Sequence, residues 1–155
     1  MDKLTPEQRS QNMSKIRSQN TSPEMQVRRF LHLHGLRYRL HSKHLPGKPD
    51  ITFPGRRACV FVHGCFWHGC PRCIDGTRPV KSNTQYWSGK IAGNRARDAR
   101  HRAALKAEGW AVFTVWECEI QRPGRLQKLL EQIKRKKVAS PRAAKEATET
   151  LFRSI

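Results

Sequence analysis

Two stretches of the chain carry apolar side chains at the spacing of one helix face. The first comprises Val27, Phe30, Leu31 and His34, and the second comprises Leu126, Leu129, Leu130 and Ile133. Each set follows the spacing i, i+3, i+4 and i+7 that is typical of an amphipathic helix. The first helix is predicted to begin in the sequence Thr-Ser-Pro-Glu at 21–24, because Thr or Ser caps a helix and Pro suits its first turn. It is predicted to end at Gly35, since glycine commonly follows the last helical residue.

Strand patterns occupy the region after the first helix. Residues 36–40 alternate apolar and basic, which predicts a half-buried strand. A Gly/Pro turn at 45–49 leads into a short strand at 50–53. Two further stretches, 59–62 and 111–115, are apolar on both faces and favour central strands. Helices before, between and after these strands predict an α/β fold with a mixed central sheet flanked by helices.

The remaining segments complete the domain organisation. Residues 1–20 are polar without apolar periodicity, which predicts an arm that stays loose until it meets a partner. Residues 64–84, rich in Gly, Pro and Cys, are interpreted as a loop, and 85–108 as a helix broken near Gly93. The predicted folded domain therefore spans 21–135, and 136–155 form a basic, flexible tail.

The net charge narrows the possible partners. The 155 residues contain 31 Lys and Arg against 12 Asp and Glu, a formal charge of +19. Such a positive charge on one small domain indicates a polyanionic binding partner, most simply nucleic acid. No apolar run is long enough for a membrane span or a secretory signal, so we expect a reducing, cytoplasmic location.

Five cysteines in a reducing setting suggest a metal more than disulfides. Cys65, Cys70 and Cys73 lie close together, and the last two form a C-x₂-C step, the spacing at which two thiolates grip one tetrahedral zinc. Cys118 is the natural fourth ligand, which would make the site closed and structural. Cys59, within an apolar strand, is interpreted as a small buried hydrophobe. The alternative is a set of unrelated buried thiols.

An acid and a histidine lie at the ends of two predicted neighbouring strands. Asp50 heads one strand and His63 ends the next, so both are expected at one edge of the sheet. That edge suits Mg²⁺, which takes carboxylate and backbone oxygens. The plainer interpretation of Asp50 is a turn-forming residue.

Other acids and histidines allow two interpretations. Asp98 lies among four arginines, so it is either a salt-bridged surface residue or the carboxylate that orients the imidazole of His68. The helix dipole alone explains Glu24. The remaining histidines offer no spacing argument and are treated as surface or filler: His32, His34, His41, His44 and His101.

Aromatic pairs occur beside the cysteines and at the start of the long helix. Phe66 and Trp67 are consecutive, so both cannot point into one core, and in a basic protein such rings can stack on or wedge between bases. Tyr86 and Trp87 open the helix. Trp110 and Trp116 flank a strand and are predicted to be core residues.

Five short motifs together resemble the very short patch repair (Vsr) endonucleases. They are RSQNM at 9–13, PGKPD at 46–50, HGCFWH at 63–68, NRARD at 94–98 and VWEC at 115–118. The similarity extends to about residue 135. It implies the restriction-endonuclease fold and nicking of duplex DNA 5′ to the thymine of T:G mismatches, which arise when 5-methylcytosine deaminates. A CTWGG context is the family's usual preference.

The resemblance also implies roles for individual residues. Asp50 would bind the catalytic Mg²⁺ with the backbone carbonyl of Val62, His68 would be the general base steered by Asp98, and His63 would contact the scissile phosphate or its water. Glu24 would support the site. Four cysteines would hold structural zinc: Cys65, Cys70, Cys73 and Cys118. The residues wedged into DNA would be Phe66, Trp67 and Trp87 from the major groove and Met13 of the arm from the minor groove.

Two other classes of function stay open at this stage. The composition also fits a nucleic-acid-binding protein that is stabilised by zinc and has no catalytic activity. The fold also fits a restriction-type enzyme that cuts both strands. The restriction pattern pairs Pro-Asp with a later acid-x-Lys, but residues 60–63 are Val-Phe-Val-His. A nicking enzyme can act as a monomer, whereas symmetric double-strand cutting usually needs a dimer.

Overall fold

The computed structural model describes residues 4–136. Its helices are α1 (Pro6–Ser14), α2 (Ser22–Leu33), α3 (Cys65–His68), α4 (Ile74–Thr77), α5 (Thr84–Ala107) and α6 (Arg125–Lys134). Its strands are β1 (Arg39–Leu40), β2 (Ile51–Phe53), β3 (Ala58–His63) and β4 (Ala111–Trp116). Short 3₁₀ turns occupy Pro54–Arg56 and Glu117–Glu119. Except for Lys136, the predicted tail lies outside the described residues.

The four strands form one mixed sheet in the order β1-β2-β3-β4. The first two pairings are antiparallel and β3 pairs with β4 in parallel, with His63 opposite Trp116. A parallel pair needs a long crossover, and the chain between β3 and β4 supplies it as α3, α4 and α5. The start of β2 and the ends of β3 and β4 therefore meet at one edge of the sheet.

Each face of the sheet is covered by a separate apolar cluster. On one face, Val60 packs with residues of α2 and α6, among them Leu31 and Leu129, all fully buried. On the other face, Cys59 and Phe61 pack against residues that include Leu105 of α5 and Trp110. The alternation along β3 follows from the period of two in a strand. The sheet with helices on both faces confirms the predicted mixed α/β architecture.

Several elements confirm the sequence patterns. The helix at 22–33 begins at Thr21, whose side chain accepts a hydrogen bond from the Glu24 backbone, and Gly35 follows it at φ +88°. Strands β2, β3 and β4 and helix α6 lie where expected along the chain. The prediction of β4 as a central strand was wrong, because β4 is last in the strand order, no strand within residues 4–136 pairs with its outer side, and most of its residues are only half-buried. Cys59 and Trp110 are buried as predicted. The strand predicted at 36–40 is shorter, since only Arg39 and Leu40 pair with β2, and these two residues are exposed where a half-buried strand was predicted.

Three segments contain more helix than the sequence patterns predict. The arm contains helix α1, which a capping box between Thr5 and Gln8 stabilises although none of its residues is buried. The segment 64–84 includes α3 and α4. Helix α5 continues through Gly93, because one internal glycine costs only about 1 kcal/mol relative to alanine, which a helix of 24 residues withstands.

None of the helices within residues 4–136 is long and apolar enough to cross a membrane.

Candidate active site and thiol cluster

A cavity of about 570 Å³ opens at the sheet edge where β2 begins and β3 ends. Four of the chemically active side chains predicted from the sequence line it: Asp50, His63, His68 and Asp98. The antiparallel pairing of β2 with β3 places Asp50 beside the end of β3. Asp98 comes from the long helix α5. Ser18 and Gln19, between α1 and α2, also line the cavity. The expectation that Asp50 and His63 share one edge of the sheet is confirmed.

Asp50 is held at this edge by the neighbouring strand. Its Oδ2 accepts a hydrogen bond from the backbone N–H of Val62 at 2.7 Å. Burial, together with the nearby charge of Glu24, raises the pKa of Asp50 to about 6, although the Val62 hydrogen bond lowers it. A half-buried carboxylate among other acids is therefore costly to ionise unless a cation binds it.

Because of this raised pKa, Asp50→Asn should stabilise the protein when no divalent cation is added. The folded state keeps a proton that the unfolded state releases between pH about 4 and 6, so ionised Asp50 opposes folding above pH 6. At pH 8 the expected gain in free energy of unfolding is about 3 kcal/mol, vanishing below pH 4. Urea titrations of the zinc-loaded protein at pH 8 and at about pH 5, where about half of the gain should remain, measure it without the acid conditions that release zinc. Asp75→Asn, at a position 62% exposed, is the control; an equal gain at both pH values would contradict the prediction.

The two cavity histidines form a stacked pair. The ring planes of His63 and His68 lie 2° apart, with centroids separated by 3.9 Å. Nδ1 of His68 contacts Oδ2 of Asp98 at 2.6 Å. Although burial opposes it, this hydrogen bond with His68 lowers the pKa of Asp98, so the carboxylate stays charged. Of the two interpretations of Asp98, the structure favours the carboxylate that orients an imidazole.

His63 differs from its partner because it is 4% exposed. Burial and the adjacent His68 lower the pKa of His63, so its ring is neutral. Its Nδ1 is buried and has no hydrogen-bond partner within the described part of the chain. The rings of His63 and Trp116 meet in a T-shaped contact with centroids 5.1 Å apart. Trp116 is only partly buried, so its prediction as a core residue was wrong.

A second polar group lies on the Asp50 side of the cavity. Glu24 is 2% exposed, and its Oε1 lies 3.1 Å from Nε2 of His41. His41 also lines the cavity, so its interpretation as surface or filler was wrong. Ligand atoms of Glu24, His41 and Asp50 all lie within 4.8 Å of one another. His41 directly follows the short edge strand β1. The sequence alone does not indicate that this position is part of the cavity, because that depends on the pairing of β1 with β2.

Four thiols meet on the other side of α3: Cys65, Cys70, Cys73 and Cys118. Their sulfur atoms lie within 4.8 Å of one another, and those of Cys70 and Cys118 are 3.8 Å apart. All four cysteines are free. Burial raises the pKa of Cys65, whereas a backbone hydrogen bond from Gly76 lowers the pKa of Cys73. The cysteines far apart in sequence are thus brought together as expected.

A buried acid that the sequence did not single out holds this cluster to the domain. Glu119, 4% exposed, pairs with Arg72 at 2.7 Å and with Arg125 at 3.2 Å. Its Oε2 also accepts a hydrogen bond from the backbone N–H of Trp116. Arg72 lies between two of the cysteines, so Glu119 links the cysteine loop to the end of β4 and the start of α6.

Three half-buried rings form a cluster beside the cavity. Phe66, Trp67 and Trp87 contact one another with centroids 5.2–5.6 Å apart. Asn94 of α5 donates a hydrogen bond to the Trp67 carbonyl at 2.9 Å, which fixes α3 on the long helix. Met13 lies separately on α1, with its side chain 38% exposed, and no residue of α1 lines the cavity.

Helix α5 also presents a basic surface next to the cavity. It carries six lysine and arginine residues and a single acid, Asp98. Arg95, Arg97 and Arg100 are exposed. Positive side chains around a cleft attract phosphates and make binding sensitive to salt.

Comparison with known sequences identifies relatives along most of the chain. The family model described as DNA mismatch endonuclease Vsr matches residues 1–73. The chain is 55% identical to the type II nicking enzyme V.XorIIP of Xanthomonas oryzae pv. oryzae, over 85% of this chain and 96% of the relative. It is 43% identical to the type II nicking enzyme V.NmeAIP of Neisseria meningitidis, over 86% and 96%. It is 38% identical to the DNA mismatch endonuclease Vsr of Escherichia coli, over 77% and 74%.

Proposed function

The chain belongs to the Vsr family of DNA mismatch endonucleases, and from this premise we propose that it nicks one strand of duplex DNA 5′ to the thymine of a T:G mismatch. Such mismatches arise when 5-methylcytosine deaminates, so the nick would initiate very short patch repair. We further propose the restriction-endonuclease fold, action as a monomer, catalytic Mg²⁺ and structural Zn²⁺. The observation that carries the proposal is the cavity that joins Asp50 to the His68–Asp98 pair.

His68 acts as the general base in this proposal. Asp98 engages Nδ1, so Nε2 is the atom that accepts a proton from the attacking water. The ionised Asp98 stabilises the imidazolium that this transfer creates. The stacked His63 stays neutral, which avoids a second positive charge on the adjacent ring, and it contacts the scissile phosphate or its water.

The carboxylate side of the cavity fits a hard cation. Asp50 and the Val62 carbonyl would hold Mg²⁺, with Glu24 in support. The raised pKa of the half-buried Asp50, and the buried Oε1 of Glu24 that lacks a hydrogen bond within the described residues, favour a positive ion there. When bound, Mg²⁺ supplies positive charge that stabilises the negative charge developing on the phosphate. Basic side chains of α5 bind the flanking phosphates and hold the scissile bond near His68.

The thiol cluster fits tetrahedral zinc. Zn–S bonds of about 2.3 Å place two ligand sulfurs about 3.8 Å apart, and Cys70 and Cys118 have this separation. Gly76 packs so tightly on Cys70 that no larger side chain fits there, which closes the loop around the site. Four thiolate ligands leave no open position, so zinc would be structural and would hold α3 to the end of β4.

Replacing Cys70 with serine should therefore release zinc and destabilise the fold. Cys70 is fully buried, and the loss of metal-coupled folding energy should lower the melting temperature by about 10 °C or more. Metal content by mass spectrometry of the intact protein and thermal unfolding measure the two effects. Cys59→Ser, at a buried cysteine outside the cluster, should keep its zinc; unchanged metal content in Cys70→Ser would contradict the ligand assignment.

The aromatic cluster provides the proposed selectivity for a mismatch. Phe66, Trp67 and Trp87 would wedge into the duplex from the major groove, while Met13 approaches from the minor groove. A T:G wobble pair is less stably stacked than a Watson–Crick pair, so opening the step beside it costs less free energy. This difference in free energy would favour binding to the T:G duplex over the matched duplex without any hydrogen bond to a base edge.

Trp67→Ala should reduce discrimination between T:G and T:A duplexes by about tenfold, since stacking on a base contributes about 1–3 kcal/mol. Binding to matched DNA, which depends on phosphate contacts, should change little. Competition binding with both duplexes measures the ratio. Leu33→Ala, at an exposed apolar position on α2, is the control. A uniform loss on both duplexes would indicate that Trp67 only packs against its neighbours.

A nicking assay tests the proposed activity. Duplexes with one T:G pair within randomised flanking bases, CTWGG included, are compared with T:A twins, each strand carrying its own label. Zinc-loaded protein is assayed with Mg²⁺ and in buffer depleted of divalent cations, because EDTA would also extract zinc. Magnesium-dependent nicking of the thymine strand alone is expected. Salt-sensitive binding without cutting would support a non-catalytic protein, and cutting of both strands a restriction-type enzyme.

A further inference from the structure

Glu24 and His41 face each other at a contact that is not a hydrogen bond. Glu24 Oε1 and His41 Nε2 lie 3.1 Å apart, yet both atoms are buried and neither has a hydrogen-bond partner within the described part of the chain. Arg28 approaches Glu24 Oε1 only to 3.7 Å. Burying such atoms without a hydrogen bond is unfavourable, so the arrangement favours a cation that both atoms could bind.

The separation of these atoms fits two neighbouring ligands of one cation. In an octahedral site with metal–ligand bonds of about 2.1 Å, adjacent ligand atoms lie about 3 Å apart. Glu24 Oε1 and His41 Nε2 have this separation, and a carboxylate oxygen of Asp50 lies within 4.8 Å of both. Asp50 Oδ2 already accepts the Val62 N–H, and its carboxylate retains further lone pairs for a cation.

The backbone places His41 at this position. His41 has φ +48°, an uncommon conformation for a residue other than glycine. Its backbone N–H donates to the Asp50 carbonyl at 3.2 Å, one step beyond the β1–β2 pairing. His41 and Asp50 are therefore adjacent across the end of the sheet, and Glu24 meets them from the first turn of α2. The tertiary structure thus holds a nitrogen donor beside the two acids.

We propose that Glu24, His41 and Asp50 bind one divalent cation together, with Nε2 of His41 as a nitrogen ligand that favours Mn²⁺ over Mg²⁺. This inference rests on the proposed function, because the cation lies in the proposed active site, and it adds His41 to the residues that hold it. Imidazole suits transition metals, whereas Mg²⁺ takes oxygen ligands almost exclusively. His41 therefore sets which metal the site binds most tightly.

The test compares the zinc-loaded full chain with His41→Gln in the absence of DNA. Glutamine keeps a polar side chain but removes the imidazole. Mn²⁺ and Mg²⁺ are titrated separately by calorimetry, and pulsed electron paramagnetic resonance of bound Mn²⁺ detects coupling to a directly bound ¹⁴N. His44→Gln is the matched control, since His44 is exposed three residues away and does not line the cavity. Asp50→Asn reports whether the cation lies in this cavity.

We expect the wild type and His44→Gln to show nitrogen coupling, and His41→Gln to lose it. The Mn²⁺ dissociation constant should rise about ten- to a hundredfold in His41→Gln, with a smaller change for Mg²⁺. If Asp50→Asn weakens Mn²⁺ binding while His41→Gln changes neither coupling nor affinity, His41 is not a ligand and the proposed function stands. If the wild type binds no cation that depends on Asp50 and does not nick mismatched DNA, both proposals fail.

Discussion

Asp50→Asn is expected to lower the rate of strand nicking by at least about a thousandfold while it leaves the affinity for mismatched DNA within a few-fold. Asp50 is the acid at the centre of the proposed metal site, tied by its Oδ2 to the Val62 backbone. Asparagine preserves the shape and can accept the same hydrogen bond, but it removes the negative charge that binds Mg²⁺. Electrostatic stabilisation by a metal contributes several kcal/mol, and each 1.4 kcal/mol corresponds to a tenfold change in rate.

Single-turnover nicking at saturating protein and fluorescence anisotropy with labelled T:G duplex measure the two quantities. Asp75→Asn, which removes an acid from an exposed position, should nick at the rate of the wild type. Loss of DNA binding in parallel with nicking would indicate a structural role for Asp50. A loss of activity through misfolding would be recognised separately, because Asp50→Asn is expected to raise the free energy of unfolding at pH 8.

His68→Ala is expected to lower the nicking rate about a hundred- to ten-thousandfold, the usual contribution of a positioned general base. His68 provides the Nε2 acceptor in the proposed mechanism, and no other histidine within residues 4–136 forms an ion pair with Asp98. The stacked His63 does not replace it, because burial lowers the pKa of His63 and its ring is a weak base. Binding of DNA should be retained, since the proposed phosphate contacts come from α5.

Chemical rescue separates a base from a structural residue at this position. Removal of the imidazole of His68 leaves a space beside His63 and Asp98 into which free imidazole fits. Millimolar imidazole should raise the nicking rate of His68→Ala and leave that of the wild type unchanged. Asp98→Asn should lose less activity and show no rescue, because Asp98 orients the base and does not touch the water. Full activity of His68→Ala would exclude His68 as the base.

Local chemistry was enough to predict the elements whose cause is local. The apolar face, Thr21 cap and Gly35 stop of α2 are all properties of neighbouring residues, and the helix formed within these limits. The apolar strand β3 was recognised as central because a strand buried on both faces needs no polar alternation. The similar apolar run of β4 predicted a strand, but not its position at the edge of the sheet. In contrast, α1 lacks an apolar face, and its signals were confined to its start: the Thr5–Gln8 capping box, Pro6 at the first helical position and Glu7 in the first turn.

The sequence was enough to propose His68 and Asp98 as a catalytic pair, but not to predict their geometry. Spacing placed His68 next to the cysteine loop and Asp98 among arginines, with a salt-bridged surface acid as the plainer interpretation. The 2.6 Å contact between them exists because Asn94 and the ring cluster fix α3 on α5. Likewise, Glu119 is buried only because arginines from two different segments converge on it.

The sequence by itself determined the α/β order of elements, the basic surface, the family and most of the chemically active side chains, since these depend on composition, short motifs and local periodicity. Only the tertiary structure decided which of those side chains share a site. His41 shows the reason: its position depends on pairing across a two-residue edge strand and on a left-handed backbone conformation. Such long-range pairing depends on how whole elements pack, which no pattern of neighbouring residues encodes.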